Sequence, residues 1–211
     1  MKRRPESGRK TEIADAILRI AGREGVGALT MERLGRELGI TSGALFRHFP
    51  SRTAMLNEAA NRAVMLLETT FPSSALPPLE RLHQFVVARS RLAAEHSGIP
   101  QLVFSEQFGK ALPPKGARAA LGIVLRTRDF LVGALREAAA CGEVRRDIPA
   151  EELVLIVIGA IVGRALLAAL VENAGGNKPR PDAEAAWDNL VRLLRPLAGP
   201  SDLPLRKGSK P

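Results

Sequence analysis

Residues 153–171, LVLIVIGAIVGRALLAALV, limit the fold of this chain more than any other stretch. A helix made of them is apolar around its whole circumference and must be covered on every side. The run approaches the length of a membrane span, yet Arg164 falls just past its middle, where a charge is expensive in lipid, and no second such run occurs in the sequence. No membrane partner is therefore expected. A body of this size cannot cover such a helix unaided, whereas a second copy of the chain can. Gly159 and Gly163 leave a notch where another helix can approach closely.

The rest of the chain keeps a helical period, and no convincing strand alternation is found. Helices are expected at about 7–25, at two short segments within 30–49, and at about 52–70, 78–97, 99–109, 114–141, 149–173 and 182–197. This is an all-α pattern of about nine helices. Pro100, Pro113 with Pro114, and Pro149 stand at helix starts, where a missing N–H costs little. The clearest break is FPSSALPP, 71–78, because its prolines cannot continue a helix. In the last helix Ala186, Leu190, Leu193 and Leu197 recur at spacings of three and four, and Trp187, Val191 and Leu194 widen the stripe. The dimer interface expected from the last two helices comprises Ile156, Gly159, Ala160, Gly163, Leu167, Trp187, Leu190 and Leu194.

Residues 30–52, TMERLGRELGITSGALFRHFPSR, carry the most specific local pattern. Met31, Leu34 and Leu38 lie on one helical face, with Thr30 as N-cap, while Glu32, Arg33, Arg36 and Glu37 face outward. Gly39 can take the left-handed conformation that ends a helix, and Ile40 pins the turn. Gly35 is small where two helices would cross. Thr41 or Ser42 can cap a second helix whose Leu45 and Phe49 point back at the first. Ser42, Ala44, Arg47 and His48 then remain outside, a set of small and basic groups suited to base edges and phosphates in a major groove. The alternative is an αα-hairpin that only packs. Ser51 can cap a helix from Arg52, so that a phosphate there would meet a helix N-terminus and a guanidinium together.

The segment from about Lys10 to Leu56, with ADAILRIAGREGVGALTMERLGRELGITSGALFRHFPSRTAML at its heart, closely resembles the N-terminal domain of the TetR/AcrR family of bacterial transcriptional regulators. The resemblance covers about a quarter of the chain. It implies a DNA-binding domain with a basic arm, 1–52, a helical effector-binding and dimerisation domain, 53–197, and a Pro- and Gly-rich basic tail, 198–211, expected to be mobile. It implies a homodimer whose last helix pair forms a four-helix bundle with its mate, and a fourth helix that links reader to sensor. The DNA-contacting set is Lys10, Thr30, Met31, Thr41, Ser42, Gly43, Ala44, Phe46, Arg47, His48 and Arg52. Phe46 departs from the family, which often carries Tyr there, so the phenolic hydroxyl is missing.

Charge agrees with a nucleic-acid partner. The net charge is +9, with a pI near 10.7. Residues 1–52 hold eleven Lys or Arg against six Asp or Glu, so more than half of the excess lies in the first quarter of the chain. The start MKRRPESGRK reads as an arm on phosphate or minor groove, or else as a solubilising tail. Cys141, the one cysteine, excludes an intramolecular disulfide, fits a reducing cytoplasm and is expected to be buried as a small apolar residue. The basic start is followed by polar residues, so no signal peptide is expected.

No glycine loop for nucleotides, metal-spaced Cys and His cluster or nucleophile elbow is found, and no catalytic residue, metal or cofactor is expected. His83 and His96 read as surface or pocket polar groups. The resemblance implies a small-molecule pocket in the body. Gln101, Phe104, Ser105 and Phe108 fall within one to two turns of 98–109, and with Arg126 form the expected lining, unless the phenylalanines are simply core. The absence of Tyr and the single Trp favour an aliphatic effector, or none. The expected function is a cytoplasmic, sequence-specific repressor that reads a palindromic operator in double-stranded DNA and is released by an effector. The rivals are a DNA-binding structural or recruiting protein without an effector, and, more weakly, an enzyme.

Overall fold

The computed structural model describes residues 6–104, 110–176 and 182–196. Within them the order is α1 (Glu6–Glu24), a 3-10 turn (Val26–Ala28), α2 (Met31–Leu38), α3 (Ser42–His48), α4 (Arg52–Glu68), α5 (Pro78–Glu95), α6 (Gly98–Phe104), α7 (Pro114–Ala140), α8 (Ala150–Asn173) and α9 (Ala183–Leu194). The architecture is all-α, as the periodicity predicts. The first five residues, Leu197 and the segment 198–211 lie outside the described residues.

Helix ends follow local chemistry. The hydroxyls of Thr30, Thr41 and Ser51 accept from the backbone N–H of Arg33, Ala44 and Ala54, capping α2, α3 and α4. Each such cap contributes about 1 kcal/mol. Gly39 ends α2 at φ 64°, the left-handed conformation its place in the sequence requires. Cys141 caps α7 at its C-terminal end and is exposed, not buried as expected, because the helix stops there in a surface turn through Gly142.

Two apolar clusters hold the helices. The first joins Ile13, Ile17 and Ile20 of α1 to Leu34, Leu45 and Met55, and continues into Leu92, Ile99, Leu112 and Ile123. The second joins Phe85 of α5 to Leu131 and Leu135 of α7, Val157 of α8, and Trp187 and Leu190 of α9. Phe71, just after α4, packs against both. α4 and α7 lie alongside each other and run in the same direction: Asn57 accepts from the Gly116 N–H at 3.1 Å near their starts, and Glu68 pairs with Arg126 further along.

The tightest approach joins α1 to α6. A Cβ on Gly98 would stand 1.8 Å from the Leu18 carbonyl oxygen, and one on Gly22 would stand 2.6 Å from the Gly98 nitrogen. Glycine is required at both positions because backbone meets backbone.

The cover of α8 is partial. Its mean hydropathy is 2.6, and by length and composition it could cross a membrane, but only a third of it is buried within the protomer. Leu155, Ile156, Leu167 and Leu170 are exposed. Gly159 and Gly163 lie on the same open side, with nothing within 4 Å of an added Cβ, and Ala160 is half-buried. α9 corrects part of the expected interface: Trp187, Leu190 and Leu194 are only 8%, 3% and 1% exposed, inside the protomer's own core. One apolar stripe on an amphipathic helix covers one neighbour, and here α5 and α8 take it. Leu193, 62% exposed, is the large apolar side chain that α9 leaves outside.

A direct test of the α1–α6 contact compares two glycines. Gly98→Ala should destabilise the protein by about 1–3 kcal/mol, because the new Cβ must push α6 from α1. Gly133→Ala, inside α7 with open space around its Cβ, should stabilise by about 0.5–1 kcal/mol. Urea denaturation at one fixed protein concentration measures both.

Candidate nucleic-acid interface and adjoining cavity

The motif is set by what α3 buries. Leu45 is fully buried and Phe49 nearly so, which fixes the helix rotation and turns Gly43, Phe46 and Arg47 outward, with Ser42, Ala44 and His48 half-buried beside them. Gly35 is needed for a reason other than helix crossing: its Cβ would meet the Ile40 carbonyl oxygen at 2.7 Å, so the turn itself folds onto α2. Thr30 and Thr41 are exposed with their hydroxyls engaged as caps, and a hydroxyl that accepts can still donate to a phosphate. Lys10 is exposed on α1. Met31 is half-buried and packs against the first cluster, so its side chain is mainly structural.

Arg52 is exposed, yet part of its guanidinium is engaged by the backbone. Its Nε donates to the Leu29 carbonyl at 3.2 Å and its Nη2 to the Val26 carbonyl at 2.9 Å. The guanidinium ties the start of α4 to the 3-10 turn with two of its five N–H donors, and the others stay open at the surface.

Several basic side chains that raise the local charge are likewise engaged. Arg33 holds Glu24 through Nε at 2.9 Å and reaches Glu37 at 3.1 Å, while Arg23 meets Glu37 at 2.7 Å. The Arg33 guanidinium holds the Glu24 carboxyl below the usual carboxylate range. Burial would raise Glu37, but the hydrogen bonds from Arg33 and Arg23 outweigh it and the carboxyl is also lowered. With both carboxyls lowered, this brace is intact at neutral pH and is lost only as pH falls through their folded-state values. Arg62 and Asp15 form a second, bidentate brace between α4 and α1 at 2.8 and 3.2 Å. Among the described residues Lys10, Arg36 and Arg47 form no ion pair. Arg36, on the last turn of α2, is thus a cation open to DNA that the sequence reading left out of the contact set.

A cavity of about 90 Å³ opens in the body behind the motif. Leu67 of α4, Phe85, Arg89 and Leu92 of α5, and Ile99, Val103 and Phe104 of α6 form one side. Ile123, Val124 and Thr127 of α7, with Ile158, Ile161 and Val162 of α8, form the other. Of the expected lining, Phe104 is there, half exposed. The Gln101 side chain and all of Ser105 and Phe108 lie outside the described residues. Arg126 is not on the wall: it is exposed, pairs with Glu68 and lies 4.6 Å over the Phe71 ring. Helical rotation brings Ile123, Val124 and Thr127 inward and carries Arg126 out.

The charge inside is Arg89. Only 9% exposed, it lies over Phe85 at 4.8 Å and Phe71 at 5.5 Å, and its one hydrogen bond among the described residues is from Nη2 to the Thr127 hydroxyl at 3.3 Å. Its buried Nε has no acceptor among them. Burial lowers its pKa to about 10, with the Glu68 charge opposing, and it stays charged at neutral pH.

Residues 13–59 match the family model of the bacterial regulatory proteins, tetR family. The N-terminal domain is that of the TetR family. A nucleoid occlusion factor, SlmA, from Glaesserella parasuis serovar 5 is 29% identical over 75 residues, 35% of this chain and 37% of that protein, so the match spans little more than a third of that relative. Two solved structures share the fold across both parts. The TetR family transcriptional regulator PfmR from Thermus thermophilus is 22% identical, with a TM-score of 0.66 over 85% of this chain and 97% of its own. AibR, in complex with isovaleryl coenzyme A and operator DNA, is 17% identical, with a TM-score of 0.70 over 88% of this chain and 97% of its own.

Within this domain the geometry separates exposed cations with no ion pair among the described residues from those that brace the fold. Arg47→Ala should weaken binding to a recovered DNA site and flatten the dependence of log K on log salt by about one, the loss of a single phosphate contact. Arg52→Ala should in addition cost about 1–2 kcal/mol of stability through its two backbone acceptors. Fluorescence anisotropy across a salt series, paired with denaturation, distinguishes the two.

Proposed function

We propose that the protein is a homodimeric, sequence-specific DNA-binding regulator of transcription, acting in the cytoplasm as a repressor that leaves its operator when a small molecule fills the cavity. The observation that carries this reading is the connection between the two sites. α6 supplies cavity wall through Ile99, Pro100 and Val103, and is locked by Gly98 onto the backbone of α1, the helix that braces the reader. A ligand that moves α6 must move α1 or break that contact. α4, which contributes Leu67 to the cavity, offers a second route. Reader spacing in a dimer then changes with occupancy, and a bound-state preference becomes a change in DNA affinity. The structural likeness to AibR, described with both an acyl-coenzyme A and operator DNA, supports the same use of the fold.

The second copy is proposed to sit on the open side of α8. Leu155, Ile156, Leu167 and Leu170 there, together with Leu193 of α9, form the largest concentration of exposed aliphatic side chains on these two helices. On the DNA, the exposed face of α3 would enter the major groove, with Lys10, Arg36 and Arg47 set toward phosphates or bases.

One observation favours another reading: a relative that matches 75 residues of the chain is named for nucleoid occlusion. A recruiting or structural protein on this fold would bind sites without responding to a ligand.

Selection of sites from a random duplex library at two salt concentrations tests the regulator reading. An inverted repeat with steep salt dependence is expected, whereas sequence-blind binding would sink it. Leu167→Glu should give a folded monomer by sedimentation and weaken operator binding on the order of a hundredfold, since the two half-sites would no longer be held together. A dimer that survives this change would place the interface elsewhere.

A further inference from the structure

The cavity couples a charge that has no ion-pair partner among the described residues to aliphatic walls. Burying a charge without a partner costs several kcal/mol, and proteins normally set a carboxylate against it. Around Arg89 no carboxylate of the described residues comes within ion-pair distance. Glu68, the acid whose field reaches it, is bound to Arg126. The two phenylalanine rings hold the guanidinium in place without accepting its Nε–H. A fork of donors fixed in this way matches a planar carboxylate, and the Thr127 hydroxyl beside it can donate to the same group. The remaining wall is branched aliphatic, with Ile99, Val103, Ile123 and Ile158 facing one another.

Resting on the reading of this cavity as the effector site, we infer that its ligand is a short aliphatic carboxylate, its carboxyl group bound by Arg89 and Thr127 and its chain lying among the isoleucines and valines. Size restricts the class. The space of about 90 Å³ is smaller than the ~150 Å³ apolar cavity that admits benzene, so a chain of a few carbons fits within it. Charge restricts it further. One arginine balances one negative charge, whereas a phosphate dianion would leave a second charge against aliphatic walls. A neutral alcohol or amide of the same shape could accept from the Nε–H but would leave the positive charge unbalanced.

The test is calorimetric titration of the purified full-length protein with straight and branched carboxylates from butanoate to octanoate, each beside its matching alcohol and its coenzyme A thioester. At least one acid should bind more than tenfold tighter than its alcohol and its thioester, and should raise the melting temperature. Arg89→Met should lose that preference while still admitting the alcohol, and without ligand it should melt higher than the parent, because an unpaired buried charge has been replaced by an apolar chain. The comparison of acid with alcohol on the unaltered protein stands even if the variant does not fold. Equal binding of acid and alcohol, tighter binding of the thioester, no binding by any acid, or unchanged acid binding by Arg89→Met each overturns the inference. The same samples titrated with a selected operator duplex keep the two readings apart. Arg89-dependent acid binding that leaves DNA affinity unchanged removes effector release and leaves the ligand assignment standing.

Discussion

The contact between Gly98 and the Leu18 carbonyl is the constraint on which the relation of the two halves depends. Most helix pairs meet through side chains, which can slide and repack when one helix shifts. Here no side chain intervenes, because any Cβ on Gly98 or Gly22 would already overlap the opposing backbone. α6 cannot move across α1 without opening the gap, and opening it exposes Ile99, which is buried in the same cluster as Ile13 and Ile17. A packed contact of this kind has two states, closed or broken. Under the proposed effector release, such bistability would let a small change in the cavity become a rigid-body change around the helix-turn-helix. α4 adds a softer connection: the aliphatic contacts of Leu67 can adjust, while the Arg62–Asp15 pair keeps α4 tied to α1.

Electrostatics connect the cavity to the end of the same helix. Glu68 closes α4, pairs with Arg126 and exerts its field on Arg89, so two guanidiniums and one carboxylate surround the Phe71 ring. The trio carries one excess positive charge in a partly dry setting. An anion entering the cavity would neutralise that excess and weaken the pull of Arg89 on Glu68. Occupancy would therefore be felt at the α4 terminus through charge as well as through packing. Among the described residues the cation has π faces, one long hydrogen bond and the more distant Glu68 charge as compensation, the first two contributing on the order of 1 kcal/mol each. An apolar residue of similar size would serve stability better, and that is the ground on which the proposed ligand assignment rests.

What the sequence revealed and what it hid divide along the range of the interactions. Caps at Thr30, Thr41 and Ser51, the left-handed Gly39 and the buried side of α3 are decided within a few residues, and the periodicity places them. Arg52 looks from the sequence like a phosphate ligand at a helix start, and nothing nearby reveals that it also ties α4 to the carbonyls of Val26 and Leu29. Phe71 sits in a proline-rich break and reads as linker, yet it joins both cores and stacks under two arginines. Arg89 is one of many arginines in the chain, and only the fold shows that its neighbours are Phe85, Phe71 and an aliphatic cavity. Gly98 is close to a proline and passes for a turn residue until α1 is brought against it.

α8 shows why a hydropathy pattern can demand cover without saying where it comes from. An all-round apolar helix has no moment to orient it, so its buried and open sides are chosen by its neighbours. α5, α7 and α9 cover one side, and in doing so they draw Trp187, Leu190 and Leu194 into the protomer and leave Leu193 outside. Lipid is a poor candidate for the open side. Arg164 is exposed on the helix itself, and Glu184, Asp188 and Arg192 line the outer surface of α9. A bilayer covering Leu155 to Leu170 would have to accept those charges beside it, at several kcal/mol for each one held near the membrane centre. A second α8 with its own Gly159 and Gly163 meets the same surface without that cost. Two small residues one turn apart let backbones approach, flanking leucines interlock, and the charged outer surface of α9 can remain in water.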